Sequence, residues 1–540
     1  MTAIGPGTGM RGGGELHVYM VVGILGRGGM TSAMMNRARM FADHGVRTTI
    51  VTLQHDLEHA SRNAEYTAMG WLDPRVEVVN AFDDAAHALE SSLPTEPHGL
   101  AARLRTWLPS RRRRARPAPA RVADEAGLTV DVQRRDDGSV RRVEHRDAEG
   151  SAVRVTEYDA SGALRHETDL DPAAGDVLEE RFLTPSGHVY LRRSYLEGGS
   201  PSACFALDRE GKVKRRYSGQ TAWQAAYLTR LARRSPGNAV FICDGPGSAS
   251  KVFRIPRRDA ATLYMVHNNH FKSPWRPGAP VRDDYGAIFE RADDMDALVV
   301  LTDEQARDIG DQFGNFGKIR VVPNSVATEP VEASERSPRT VSMFSRLVGQ
   351  KNLPEAVALF ADVVARVPDA VLDIYGEGRL DGQLRALVTK KGLEGSVRLR
   401  GYSRDALGTM ARSAMVLCTS HYEGLPVNFL EAYRTATPVV SYACRYGPRD
   451  LIDDGVTGFV VPFGDRAAVV DRIVRILEDP ALGHRMGAQG QRSILSQYSN
   501  DAVFGTWWRV LTEAHEHLVE RRGHEAMTNV DRRGADRVHR

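Results

Sequence analysis

Apolar residues follow two rhythms along this chain, and the change of rhythm marks its organisation. "LHVYMVVGIL" (16–25) is a near-continuous apolar run of strand length, and "GRGGMTSAMMNRARMFADHG" (26–45) is a glycine turn opening an amphipathic helix that ends at Gly45. "VRTTIVTL" (46–53) and "RVEVVNAF" (75–82) are further strands. Strand and helix in alternation predict a parallel sheet with crossover helices. The pattern breaks in the Pro- and Arg-rich stretch 92–120, and from about 121 to 217 the period becomes two. Apolar and polar residues there alternate between turns such as Asp137-Gly138, Glu149-Gly150 and Ser161-Gly162, which predicts a meander of hairpins.

The first rhythm returns with "NAVFICDGPG" (238–247), "ATLYMVHNNH" (261–270), "ALVVLT" (297–302) and "KIRVVPNSV" (318–326). A second α/β unit starts at "TVSMFSRLVGQKNLPEAVALFADVVARVP" (340–368), with strands to follow at 370–378, 397–402, 415–420, 438–443 and 458–464. Two helices, near 481–497 and 501–521, close the chain. The expected fold is therefore α/β, two doubly wound Rossmann-like domains, with an antiparallel β-meander inserted in the first. The expected divisions are a disordered lead (1–14), a first domain in two parts (15–109 and 221–328) around the insert (110–220), a second domain (329–498), a helix returning to the first domain (499–520) and a disordered basic tail (521–540). Paired domains of this kind bind a ligand at the carboxyl ends of their strands.

Composition changes the picture little. The 540 residues exceed one ordinary core, and 42% hydrophobic with 26% charged residues fits a soluble globular protein. A net charge of +3 implies no nucleic-acid partner, although Arg is locally dense at 111–121 and 521–540. Four cysteines, Cys204, Cys243, Cys418 and Cys444, at no metal-ligand spacing suggest a reduced, cytoplasmic protein. The N-terminal apolar run lacks the marks of a signal peptide, and no run approaches the ~20 residues of a membrane span.

Candidate chemistry gathers at strand ends. In "SHYEGLPVNFLEA" (420–432), Glu423 falls in a strand-to-helix loop and Glu431 in the second turn of the helix, with Pro426 expected at its first position. A helix N-terminus offers free N–H groups to a phosphate, and the carboxylates on either side can accept from hydroxyls. A sugar nucleotide has both features; a loop Glu and an ordinary helix Glu is the alternative. "SRLVGQKN" puts Arg346 and Lys351 where two cations would neutralise a diphosphate, or simply sit solvated at a helix start. "YGEG" (375–378), with Gly376 and Glu377, suits a close backbone approach or a plain turn, and "GRGGM", with Gly28 and Gly29, is a second such loop. His267 ends a strand and forms an H-x-x-H pair with His270, but no third ligand stands at zinc spacing. The Asp-x-Asp of "DDMD" (293–296) reads as a solvated helix end rather than a metal site.

The segments "SHYEGLPVNFLEA", "SRLVGQKN", "YGEG", "GVTGFVVPFGD" and "VVPNSV" resemble retaining glycosyltransferases of the GT-B fold, family 4, over 238–500 and more weakly over 15–85. The inserted hairpins resemble those of wall teichoic acid poly(polyol phosphate) α-glycosyltransferases, and are similar to enzymes that add N-acetylglucosamine to serine-rich adhesins. The resemblance implies a metal-independent hexosyl transfer with retention and without a cofactor. It makes His267, Arg346, Lys351 and Glu423 catalytic. It assigns the donor to Gly28, Gly29, Asn324, Gly376, Glu377, Tyr402, Gly424, Leu425 and Glu431, with Glu423 at the sugar, Glu431 at the ribose and Tyr402 near the base. The implied donor is UDP-glucose or UDP-N-acetylglucosamine, and the implied acceptor an anionic polymer or a protein. A non-catalytic adapter and a transferase to lipids or small molecules remain alternatives. Meander edges and their Arg residues suggest a homo-oligomer through the insert and a polymer track, with a further expectation of peripheral contact at the inner membrane face.

Overall fold

The structure, a computed structural model, describes residues 15–92, 122–123, 128–314, 317–329, 331 and 335–538. The disordered lead expected at 1–14 and the Arg-rich linker at 111–121 lie outside these residues. The chain divides into two units, one of Met1–Ile50, Thr67–Glu77 and Ala232–Arg540, the other of Val51–Tyr66 and Val78–Leu231.

Two sheets organise the first unit. One has seven strands in the order Ile319–Val321, Ala297–Val300, Ala261–Val266, Asn238–Cys243, Leu16–Val22, Arg47–Thr52 and Glu77–Asn80. From Leu16–Val22 to Ile319–Val321 every pairing is parallel. Four of these strands, Leu16–Val22, Asn238–Cys243, Ala261–Val266 and Ala297–Val300, are buried at every position. Both faces of a parallel sheet are covered, so their sequences read as unbroken apolar runs rather than alternations. The other sheet has six parallel strands, Val397–Gly401, Val371–Tyr375, Thr340–Phe344, Met415–Cys418, Val439–Tyr442 and Gly458–Val461. Its core takes the apolar stripe of the helix Leu353–Arg366, in which Leu353, Ala356, Val357, Phe360 and Val363 recur at helical spacing.

Numbered along the chain, the second sheet runs 3-2-1-4-5-6 and the first 3-2-1-4-5-6-7. Each therefore reverses direction beside its own first strand. The loops leaving the two central strands diverge there and open a crevice, the position at which doubly wound sheets hold ligands. The inserted residues fall between the third and fourth strands of the first sheet, after the edge strand Glu77–Asn80, where a long excursion interrupts no central pairing.

In the second unit, nine strands from Val122–Ala123 to Val213–Tyr217 form an antiparallel meander in chain order. Its turns repeat: the Gly138, Gly150, Gly162, Gly187 and Gly211 N–H groups each donate to the carbonyl three residues back. Charges across the strands are zipped together. Arg146 meets Asp131 at 3.0 Å, Arg154 meets Asp169 at 2.7 Å, and Arg181 meets Glu167, Asp169 and Glu179 at 2.7–3.0 Å. Most Arg residues of the central strands are thus committed to neighbours; Arg141, in the strand Val140–Arg146, is exposed and has no carboxylate partner among the described residues. Lys212, Lys214, Arg215 and Arg216 differ: they are exposed along the edge strand and have no carboxylate partner among the described residues.

Two readings are corrected. The final helix runs Asn500–Val538, through the segment read as a disordered basic tail from 521. Two of its Arg residues are anchors: Arg521 pairs with Asp296 at 2.6 Å and Arg522 donates to the carbonyl of Arg258. Asp296, read as solvated with the rest of "DDMD", is buried; it also accepts from the Thr262 N–H at 2.8 Å.

Candidate active site

Strand order explains why distant motifs meet. Thr340–Phe344 and Met415–Cys418 are neighbours at the switch point of the second sheet, so the loops after them run side by side. The Gln350 carbonyl accepts from the His421 N–H at 2.9 Å, and Thr419 Oγ1 donates to the Lys351 carbonyl at 3.1 Å. Lys351 Nζ then lies 2.6 Å from Glu423 Oε1, both side chains largely buried. Burial alone would lower the lysine pKa; the facing carboxylate reverses this and holds it above its usual range. Arg346, on the same loop, is exposed, and its side chain has no hydrogen-bond or ion-pair partner among the described residues. One cation is held and one is free beside the helix Val427–Arg434. Pro426 is the residue before that helix rather than its first position, and no side chain caps its N-terminus.

Glu431 is half-buried in that helix, and no side-chain donor reaches it among the described residues. Burial pushes its carboxyl up to about 7 against the opposing charge of Arg434. A desolvated acceptor without donors is suited to ligand hydroxyls.

Glycines mark close approaches. A Cβ on Gly376 would lie 1.8 Å from the Ser345 carbonyl oxygen, and its φ of +140° is also poorly tolerated by other residues. "YGEG" is therefore pressed against the Arg346 loop, with Glu377 exposed and its carbonyl accepting from the Leu347 N–H at 2.9 Å. A Cβ on Gly424 would lie 2.1 Å from the carbonyl oxygen of His267, so the loop carrying Glu423 passes directly under the end of the strand Ala261–Val266. Asn324 is buried and donates to the Leu425 carbonyl at 2.9 Å, which makes both residues a tie between the sheets. At the first switch point, Gly28 and Gly29 open the helix Gly29–Asp43 with empty space around them and no side-chain cap. Arg27 lies over the Tyr402 ring at 5.0 Å, and Trp71 meets the same ring edge-on.

His267 and His270 do not converge. His267 Nε2 bonds Asp244 Oδ1 at 2.7 Å, whereas the His270 ring is buried against Phe271, Phe289 and Tyr446 and pushed down to about 4 by desolvation. Among the described residues no three His, Cys, Asp or Glu side chains could share a metal ion.

Several contributors were not singled out from the sequence. Arg445 and Tyr446 bracket Glu423: the Glu423 N–H donates to the Arg445 carbonyl at 2.8 Å, and the Tyr446 N–H donates to the Glu423 carbonyl at 3.0 Å. Their side chains reach the helix Asp303–Phe313 of the first sheet, Tyr446 Oη bonding Asp308 at 2.7 Å and Arg445 pairing with Glu304 at 2.7 Å. Trp275 stacks on His421 and Tyr422 from the same side. Each is an ordinary loop residue in sequence, and only its strand-end position could have flagged it.

This fold and the arrangement at its switch points define a class: the chain has the GT-B fold, and residues 327–493 match the family model described as "Glycosyl transferases group 1". Among particular proteins, it is similar to the poly(ribitol-phosphate) α-N-acetylglucosaminyltransferase of Staphylococcus aureus, 25% identical over 508 residues that cover 91% of this chain and 98% of that one. It is similar to the poly(glycerol-phosphate) α-glucosyltransferase of Bacillus subtilis, 23% identical over 94% of this chain and 76% of that one. Of solved structures, a point mutant of S. aureus TarM in complex with fondaparinux, α-GlcNAc-glycerol and UDP superposes with a TM-score of 0.79 at 21% identity, covering 92% of this chain and 99% of that one.

Proposed function

We propose that the chain transfers a hexose or N-acetylhexosamine, with retention, from a UDP-sugar to a hydroxyl of a polyol-phosphate polymer of the wall teichoic acid type. The observation that carries this is the Lys351–Glu423 pair beside an uncapped helix N-terminus and the free Arg346. Supporting the acceptor class are two relatives, each spanning nine-tenths of the chain, that are named for polyol-phosphate acceptors. In this reading the diphosphate lies between Arg346, Lys351 and the N–H groups opening the helix Val427–Arg434. Gly28 and Gly29 give the donor room, Glu431 accepts from the ribose, and Glu423 and His267 face the sugar. Gly376 and Glu377 line the diphosphate side, Tyr402 approaches the base, and Asn324, Gly424 and Leu425 hold the loop in place. The acceptor oxygen attacks C1 from the face the diphosphate leaves. The C1–O bond to phosphate breaks as the new C1–O bond forms, and the hydroxyl proton passes to the departing phosphate oxygen. Positive side chains and oriented N–H groups stabilise the charge that develops.

Lys212, Lys214, Arg215 and Arg216 form a run of insert cations available to a phosphate polymer, and their exposed edge strand also suits pairing with a second copy. Among the described residues no helix is long and apolar enough to cross a membrane, and we place the reaction in the cytoplasm, with its nucleotide sugars. The test is a screen of UDP-glucose and UDP-N-acetylglucosamine against polyol-phosphate polymer, Ser-rich peptide and lipid extract, read by mass. Polymer alone should gain sugar. Transfer only to peptide or lipid, or to none of them, overturns the reading.

A further inference from the structure

Asp244 follows the strand Asn238–Cys243, the fourth of its sheet, which lies beside the first. It is therefore the first residue beyond the switch point, and its own N–H donates to the Val21 carbonyl at 2.9 Å. Its carboxylate is fully buried. Burial by itself would raise its pKa, but the Arg37 charge and the His267 bond hold it below the usual carboxylate range. Arg37 Nη2 reaches both carboxylate oxygens at 2.5 Å from the helix that Gly28 and Gly29 open. That guanidinium is itself buried, and it lies 5.1 Å over the Trp507 ring of the last helix. The third partner is His267 Nε2 at 2.7 Å.

An ionised carboxylate only accepts hydrogen bonds, so the proton in this contact belongs to His267 Nε2. In the neutral imidazole the other nitrogen, Nδ1, is then a lone-pair acceptor. No hydrogen bond to Nδ1 is formed among the described residues, and the His267 carbonyl lies directly over Gly424, next to Glu423. We propose that Asp244 is a positioning residue: charge-locked by Arg37, it fixes the Nε2–H tautomer of His267, so that Nδ1 accepts a hydrogen bond from a hydroxyl of the transferred sugar. A buried Arg–Asp pair is costly to desolvate, and hydrophobic residues of the same volume would do as well for stability alone. Its retention under the strand end that carries His267 has a use once the pair sets a ring's tautomer. An acceptor nitrogen also selects: it pairs with a sugar hydroxyl and leaves a deoxy or O-methyl position unsatisfied.

The sugar contact rests on the proposed function, whereas the tautomer does not, so the experiment separates them. Ring-¹⁵N-histidine labelling of the ligand-free protein, with His267 assigned by the signals lost in His267→Gln, should show Nε2 protonated and Nδ1 unprotonated. A protonated Nδ1, or a ring averaging between tautomers, overturns the proposal whatever the enzyme transfers. Asp244→Asn should then lose the fixed tautomer and lower kcat at least tenfold with the donor KM within about threefold. A merely structural Asp244 would leave the His267 ring signals unchanged in a folded Asp244→Asn protein, and that also overturns the proposal. Should that variant not fold, the spectrum of the unsubstituted protein decides alone.

Discussion

Lys351 Nζ and Glu423 Oε1 face each other at 2.6 Å, each supplied by the loop after one of two neighbouring central strands. The cation proposed for a diphosphate and the carboxylate proposed for a sugar satisfy one another. The pair is preorganised, so neither group need be gathered from solvent when the donor arrives.

Removing one partner exposes the cost of that arrangement. Lys351→Met should lower turnover by about 10²-fold or more, the scale for loss of a charge-stabilising group. It should also destabilise the fold by about 3 kcal/mol, because Glu423 is left buried and unpaired. Adding Glu423→Gln should recover most of the lost stability and none of the activity. Thermal melts and donor hydrolysis check both halves; a double variant no more stable than Lys351→Met would show that the two side chains are not coupled.

Arg346 is the contrasting case. It is exposed and makes no ion pair among the described residues, so Arg346→Ala should leave stability within about 0.5 kcal/mol. Turnover should nonetheless fall by about 10²-fold, since the diphosphate loses a cation. A well-folded variant with near-normal rates would remove Arg346 from the leaving-group site.

For Glu431, burial sets a pH dependence. Its carboxyl is raised from 4.5 to about 7, so between those values the folded protein binds a proton that the unfolded chain has lost. The stability from this group is fully present below 4.5 and is lost as pH rises through about 7. Hydroxyl binding runs the other way, because the ionised form is the better acceptor. Donor KM should therefore rise as pH falls below about 7. Glu431→Gln should flatten both the KM and the melting profiles across this window. A variant that keeps the pH response of the unsubstituted protein would assign it to another group.

How far these features were legible follows from what a sequence period encodes. Strands buried on both faces, such as Leu16–Val22 and Asn238–Cys243, announce themselves as apolar runs, and the meander announces itself by alternation broken at glycines. Lys351 and Glu423 could be singled out because each lies in the stretch between a strand and the helix after it. The reach of Arg37 to Asp244, and of Tyr446 to Asp308, was not, because each joins positions far apart in the chain that only strand order brings together. Arg-rich stretches misled for a related reason. Charge density along one strand does not reveal the carboxylates on the next, such as Asp131, which Arg146 reaches diagonally.

Charge neutralisation by Arg346, Lys351 and a helix N-terminus also predicts transfer without added divalent metal. Activity should persist in excess EDTA. Full loss, restored by Mn²⁺ or Mg²⁺, would show that these groups do not suffice for the diphosphate.

Glu423 is held from both sides by Arg445 and Tyr446, and these in turn are held by the helix Asp303–Phe313. Tyr446 is fully buried, and its hydroxyl supplies Asp308 with a hydrogen bond at 2.7 Å. Tyr446→Phe keeps the packing but leaves that carboxylate short of a donor, at a cost of about 1–3 kcal/mol. The same change frees the segment whose N–H and carbonyl groups bracket Glu423. A displacement of about 1 Å there is enough to cost about 10²-fold in rate. Turnover should therefore fall with donor KM nearly constant, because Arg346 and Glu431 lie on other segments. Asp308→Asn should weaken this contact and also the pairing of Arg445 with Asp308 at 3.2 Å, so the two changes combined should cost little more than Asp308→Asn alone. Melting curves and steady-state kinetics of the two single variants and the double variant test this. Additive losses in kcat would mean that Asp308 and Tyr446 act on Glu423 independently, and that the contact between them does not set its place.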